Sequence, residues 1–304
     1  MKSKRYTFGM TLEDRVFDTT NLLFMIALIV VMLYPFANMI AISLNESLDT
    51  IRGGIGIWPR EFTTSNFRAV LSRVEIYNAA VISVARTLLS TFIGVLTALM
   101  VAYPLSRKDF VLRKHVSAMF LFTMYVSGGL IPGYFLMRSL GLLNNFWVYV
   151  IPGMTSAFNI MITRSYISQL PDSFVESAKI DGAGEFRILF TIIFPLVLPV
   201  LAVVALFIAV GNWNSWFDTF LFAPGRQDLS TLQFELQKVL QAASQQISTP
   251  DFTRAGMQEG ASGMVTPTSI RATMTIVATV PVLFVYPFLQ KYFVKGLTLG
   301  GVKG

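Results

Sequence analysis

Apolar residues along this chain come in long unbroken runs and not in the short alternations of a half-buried sheet. Six stretches stand out: 21–43, 79–103, 115–137, 146–166, 190–213 and 271–292. Each approaches or exceeds the roughly 20 residues that carry a helix across a bilayer. A helix also satisfies its own backbone groups where no water reaches. The pattern therefore predicts an all-α, polytopic membrane protein with six transmembrane helices. Proline recurs within the runs (Pro132, Pro152, Pro195, Pro199, Pro281, Pro287), and these positions are read as packing kinks, which membrane bundles tolerate. The first run is too long for the core of a signal peptide, so a retained span is expected. The resulting organisation is an N-terminal segment 1–20, a bundle 21–292 and a tail 293–304, with long loops at 167–189 and 214–270.

Charge orients the bundle. With the N-terminus in the cytoplasm, the inner segments hold twelve Lys and Arg in 66 residues, and the outer segments eight in 100. The positive-inside rule then gives both termini inside. Composition agrees with a bilayer protein: 54% hydrophobic, 13% charged and a mean hydropathy of +0.60. Soluble domains carry about a quarter charged residues, so an ordinary soluble enzyme is excluded. The net charge of +7 needs no nucleic acid to explain it. With no Cys and only His115, neither a disulfide framework nor a metal site is expected.

None of the 17 carboxylates falls in the middle of a run. Ion-coupled transporters commonly place ionisable groups near the midplane. A secondary transporter of a small solute is thus the weaker alternative, although backbone carbonyls can also bind sodium. Arg86, about eight residues into the second run, is the one candidate for a charge deep in the membrane, where an Arg costs roughly 2.5–3.5 kcal/mol at the bilayer centre. Its readings are snorkelling to the outer surface, a bond to a neighbouring carbonyl, or a place in a transport pathway. No G-x-x-x-x-G-K-[ST] phosphate loop is present. Any nucleotide hydrolysis must then come from a partner, and the chain itself is not an enzyme.

Two loops carry candidate chemistry. In 170–195, Pro171 and Asp172 suit the first turn of a short helix. That helix should run to about Ile180 with Phe174, Val175 and Ala178 on one face, and Gly182 and Gly184 should permit a sharp turn into the next helix. By itself this describes an interfacial helix that anchors the loop. After the fifth run, Asn212, Trp213, Asn214, Trp216 and Asp218 combine aromatic faces with hydrogen-bonding groups, as sugar sites do. An aromatic belt at the membrane boundary fits the same residues. Trp213 and Trp216 share a face if the helix continues between them. Further on, Ser230 and Gln233 suggest a capping box, followed by a stripe of Leu232, Leu236, Val239 and Leu240 expected to pack on the bundle, the alternative being contact with a partner protein. Residues 262–269 read as irregular.

The sequence resembles the permease subunits of ABC importers. Glu176, Ser177, Ala178, Gly182, Ile192 and Pro195 fall on the anchors of that family's EAA loop, E-A-A-x3-G-x9-I-x-L-P, with Ser177 and Phe194 as departures. Ala102-Tyr103-Pro104-Leu105-Ser106-Arg107, Asp181-Gly182-Ala183, Trp213-Asn214 and the ending Tyr292–Gly304 are similar to the carbohydrate-uptake, MalG-like branch. The long outer loop and Met10–Asp14 are similar to its LplC/YtcP-like oligosaccharide subgroup. The resemblance implies a type I importer permease in the bacterial cell membrane, with a coupling helix contributing Glu176, Ser177, Ala178, Asp181, Gly182 and Ala183. Glu176 would be the charged contact and Ala178 the close-packing surface. Implied partners are a second, non-identical permease, two ATPase subunits holding ATP and Mg, and an extracytoplasmic sugar-binding protein. Arg86, Asn212, Trp213, Asn214, Trp216 and Asp218 would line the substrate pathway.

Overall fold

A computed structural model describes the backbone over residues 12–247 and 265–299, and the side chains through 242 and over 265–284. Within them the protein is helical, with no strand and one isolated bridge, Asn45 to Phe62. Among the described residues, four helices are long and apolar enough to cross a membrane, and a bent pair makes a fifth candidate. The chain divides into two compact units: 1–70 with 243–276, and 71–242 with 277–304.

In the first unit, α1 (Leu12–Ser43) begins nine residues earlier than the apolar run. It leaves residues 12–36 exposed along their whole length. Two short helices follow, α2 (Ser47–Ile51) and α3 (Ser65–Leu71). The loop between them is held by polar groups and not by an apolar core. Asn45 and Asn66 are fully buried. The Asn45 side-chain Oδ1 accepts from the backbone N–H groups of Arg60 and Glu61. Its amide donates to Asp49 and Thr50. The last helix, Pro267–Leu299, starts in this unit. Its first turn is capped by the Thr266 hydroxyl, which accepts from the N–H of Ser269. Proline at the first helical position suits such a start. Of the segment read as irregular, 262–264 lie outside the described residues, and Pro267–Ser269 are helical.

The second unit is built on α4 (Val74–Ser106), α7 (Ala157–Ile167) and α10 (Phe194–Asn214), with shorter helices between them. Leu99, Ile160, Ile188, Ile193, Val197 and Val204 form its buried centre. Gly94 lies so close to α10 that a Cβ there would meet Ile208 Cδ1 at 2.8 Å. The third apolar run is broken. Helix α5 (Arg113–Tyr125) and α6 (Leu130–Ser139) meet at 119°, across a break where Gly129 has φ +85°. The fourth run is not a continuous helix either. Phe146–Tyr149 is a 3-10 turn, turns containing Pro152 and Gly153 follow, and Ser156 caps α7. Eleven residues span only about 16 Å, half the thickness of the hydrocarbon core.

At the start of the fifth run lies a π-helical segment, Ile188–Ile193, joining the three-residue helix α9 (Glu185–Arg187) to α10. The N–H of Phe194 reaches back five residues to the carbonyl of Leu189. Pro195 follows directly, lacking an N–H and crowding the carbonyl four residues before it. The wider π turn relieves that crowding.

Candidate functional site

Helix α8 (Ser173–Ile180) occupies the loop where a short helix is expected. Val175 and Ala178 are buried in the chain's own core, beside Leu99, Ile188 and Leu189. Phe174 and Ile180 are exposed instead, alongside Glu176 and Ser177. Two expectations change. Phe174 does not join the inward face, and Ala178 is used for packing within this chain, so it offers no surface to a partner. The helix ends in a Schellman turn: the N–H of Ala183 bonds the carbonyl of Ala178 at 2.9 Å, and that of Gly182 bonds Lys179 at 3.0 Å. Gly182 sits at the left-handed position with φ +75°, which a side chain disfavours. Gly184, by contrast, is extended at φ −72°, so the turn needs only the first glycine.

Asp172 does not cap α8 with its side chain. It pairs with Lys108 at 3.1 Å and Arg107 at 3.5 Å, just beyond α4. Lys179, in the last turn, bonds Glu185 at 2.8 Å and faces Asp109 at 3.5 Å. The buried Tyr103 donates its hydroxyl to the other Glu185 oxygen at 2.7 Å. The Ala102–Arg107 ending of α4 and the loop 170–195 are therefore one site, tied at both ends of α8. The Lys108 bond holds the Asp172 carboxyl below its ordinary range, and the Glu185 bond holds the Lys179 ammonium above its own. A cleft of about 420 Å³ opens beside these ties, walled by Met100, Tyr103, Arg107, Phe110, Glu185 and Phe186. Asp109, Lys108 and Glu185 are contributions that motif reading missed, since charge pairing between distant segments has no spacing signature.

At the other end of α10 the candidates divide. Helix α10 stops at Asn214, and Ser215 is extended (φ −77°, ψ 121°) before α11 (Phe217–Phe222). Trp213 and Trp216 are thus not on one helical face. Trp213 is buried, and its indole N–H donates to the carbonyl of Ala278 at 2.9 Å. It walls an apolar cavity of about 210 Å³ with Val84, Thr87, Leu206 and Pro281. Trp213 is a packing strut between helices, not an open stacking platform. Asn212 spends its amide on the carbonyl of Ile208 at 2.9 Å. Trp216 packs edge-on against Phe217 at 5.7 Å, and Asn214 is exposed.

Arg86 is fully buried and does not snorkel. One guanidinium nitrogen bonds Asp218 at 2.6 Å, and another reaches the carbonyl of Ser215 at 3.2 Å. The cation lies 4.7 Å from the centre of the Tyr149 ring, and Ser215 also donates to Asp218 at 2.8 Å. Two residues that stood as separate candidates are one ion pair. Nearby, α12 (Leu232–Ile247) starts one residue later than a Ser230 cap would place it. Ser230 bonds the side chain of Glu235, and the N–H of Leu232 donates to Ser83 of α4 at 2.8 Å. Leu232 and Leu236 are buried, as the stripe implied.

A helical chain with several membrane-length helices, and a short surface helix clamped to the bundle by ion pairs, is a polytopic membrane protein. More specifically, the chain belongs to the family of binding-protein-dependent transport system inner membrane components, whose model matches residues 11–299. It is 33% identical over 294 residues to the polygalacturonan/rhamnogalacturonan transport system permease protein YtcP of Bacillus subtilis (strain 168), covering 96% of this chain and 100% of that one. It is also 33% identical to the protein LplC of the same organism over 299 residues, 98% and 99% of the two chains. Among solved structures, it matches a bacterial ABC transporter involved in the import of the acidic polysaccharide alginate. That match has a TM-score of 0.79 and 28% identity, over 93% of this chain and 98% of that one.

Proposed function

We propose that this chain is one permease subunit of an ATP-driven importer, carrying an oligosaccharide handed over by an extracytoplasmic binding protein. The observation that carries the reading is α8. Its inner face is fixed in the core while Glu176, Ser177, Phe174 and Ile180 face outward on an element braced at both ends. A helix held this way moves with the bundle and so transmits a push from a partner. The partner is an ATPase subunit, one of two that hold ATP and Mg, and a second, non-identical permease completes the pathway. ATP binding favours one arrangement of the permease pair and hydrolysis restores the other, since a ligand shifts a two-state equilibrium only through differential binding.

In this reading the protein crosses the bilayer six times with both termini inside. The bent pair α5–α6 serves as the third crossing, and the turn at Phe146–Tyr149 with α7 serves as the fourth. The names of its relatives, one on polygalacturonan and rhamnogalacturonan and one on the acidic polysaccharide alginate, support an acidic oligosaccharide as cargo. The test is uptake by the reconstituted four-subunit complex with its binding protein. Oligogalacturonide or alginate oligomers should be taken up when ATP is present. Uptake that persists without the ATPase subunits and follows a sodium or proton gradient would overturn the proposal.

A further inference from the structure

The connection between α2 and α3 is built inside-out. Its interior is polar: Asn45, Asp49 and Asn66 are buried, and Arg60 bonds Asp49 at 2.8 Å and the Gly53 carbonyl at 2.8 Å. Its apolar side chains face away from the chain, with Trp58 78%, Phe62 70%, Ile57 52% and Ile51 51% exposed. In water such an arrangement wastes burial, because apolar area left exposed forfeits the free energy gained by removing it from water. The frame keeps the loop from collapsing onto those side chains.

The tip also points backward. Gly53 and Gly54, at φ +71° and +70°, reverse the chain. The Asn38 amide then donates to the carbonyls of Ile55 and Gly56 at 2.7 and 2.8 Å. Asn38 lies five residues before the end of α1, so the tip sits about 7.5 Å back along that helix. Residues 12–36 of α1 are exposed and apolar in the main, so the patch continues the surface of a membrane-length helix. Carbonyls carried below the headgroups need donors that water cannot supply, and Asn38 supplies them. Arg52, 76% exposed at the side chain, flanks the patch. Trp beside a span, with a basic residue at the rim, is the pattern of an interfacial anchor.

We infer that residues 51–58 are a lipid anchor, with Ile57 and Trp58 inserted into the leaflet at the C-terminal end of α1. A docking protein would be met at the outermost point of the loop, but the apolar side chains are set back toward the bilayer. The inference rests on reading α1 as a span, and the test separates the two.

The chain has no Cys, so single sites can be spin-labelled in the assembled complex, with any Cys of the partner subunits replaced, in phosphatidylcholine/phosphatidylglycerol vesicles. Labels at Ile57→Cys and Trp58→Cys are compared with one at Phe36→Cys on α1 and one at Glu61→Cys. The expected result is that oxygen collisions outrun those with a water-soluble nickel chelate at Ile57 and Trp58, as at Phe36, with the ratio reversed at Glu61. Nickel access at the loop with lipid access at Phe36 overturns the anchor and leaves α1 as a span. Nickel access at Phe36 overturns the span reading itself. Labels closed to both reagents, or shielded only after the binding protein is added, assign the patch to a protein partner and also overturn the anchor.

Discussion

At the scale of single residues, the Arg86–Asp218 pair shows how a charge survives within an apolar run. The guanidinium has a carboxylate, a carbonyl and an aromatic face around it. Removing one partner of a buried pair costs about 3–5 kcal/mol. Asp218 is 36% exposed at the side chain, which places Asp218→Asn below Arg86→Met in cost. Thermal unfolding of the purified complex should rank the variants in that order. The double variant should be less unstable than the two single losses predict; strictly additive losses would deny the coupling. Trp213→Ala removes a buried ring and its bond to Ala278, a loss of about 3–5 kcal/mol for large aromatics in cores. Assembled complex should fall, while uptake per assembled complex stays near the parental value. A normal yield with a deep cut in normalised uptake would return Trp213 to the sugar path. Gly182 is the third case. A Cβ there meets nothing within 4 Å, so the cost is the positive φ alone, about 1–2 kcal/mol. Gly182→Ala should therefore reduce coupled ATPase activity more than Gly182→Asn, since Asn tolerates this conformation.

At the scale of elements, α8 is held by charge at both ends, and the ties have opposite titration signs. Asp172 has a lowered carboxyl pKa, so its contribution is present above the ordinary carboxylate value of 3.8 and is lost as pH falls through the folded value. Lys179 is raised above 10.5, so its contribution is full below that value and lost only as pH climbs through the folded one. Across neutral pH both ties are intact. Protection against hydrogen exchange over 173–180, taken relative to the intrinsic exchange rate at each pH, should fall below about pH 4 and stay flat from pH 5 to 9; a transition near pH 6–7 would contradict this charge map. These groups are exposed, so the effect is local. The π segment makes a separate expectation. Pro195→Ala restores an N–H and removes the ring, so Ile188–Ile193 should relax toward an α-helix. Distances between labels at Ser177 and on α10 should then shift, and unchanged distances would show that the π turn has another cause.

For the whole molecule, the absence of a phosphate loop from the sequence predicts that the purified chain hydrolyses no ATP above background. Activity should appear with the ATPase and second permease, and rise with loaded binding protein. Robust hydrolysis by the isolated chain would remove the transport-subunit reading. Topology has its own check, since Cys placed at 108 and 179 should be reachable from the cytoplasm only, and Cys at 61 and 226 from outside only.

The sequence by itself determined the helical membrane class, the family and the position of the short helix in the loop 170–195. Those depend on apolar run length and on fixed spacing, which are local properties of a chain. It located Gly182 for the same reason, because a Schellman turn is closed by residues no more than five apart. The tertiary structure decided what each candidate faces. Ala178 turned inward, and Trp213 became a strut. Arg86 and Asp218, 132 residues apart, became one pair. The 146–166 run, apolar enough for a helix, became a 3-10 turn and a short helix around Pro152. An outward polar face and an inward one have the same letters at the same spacing. Only the neighbours brought there by folding distinguish a residue that waits for a partner from one that already has one.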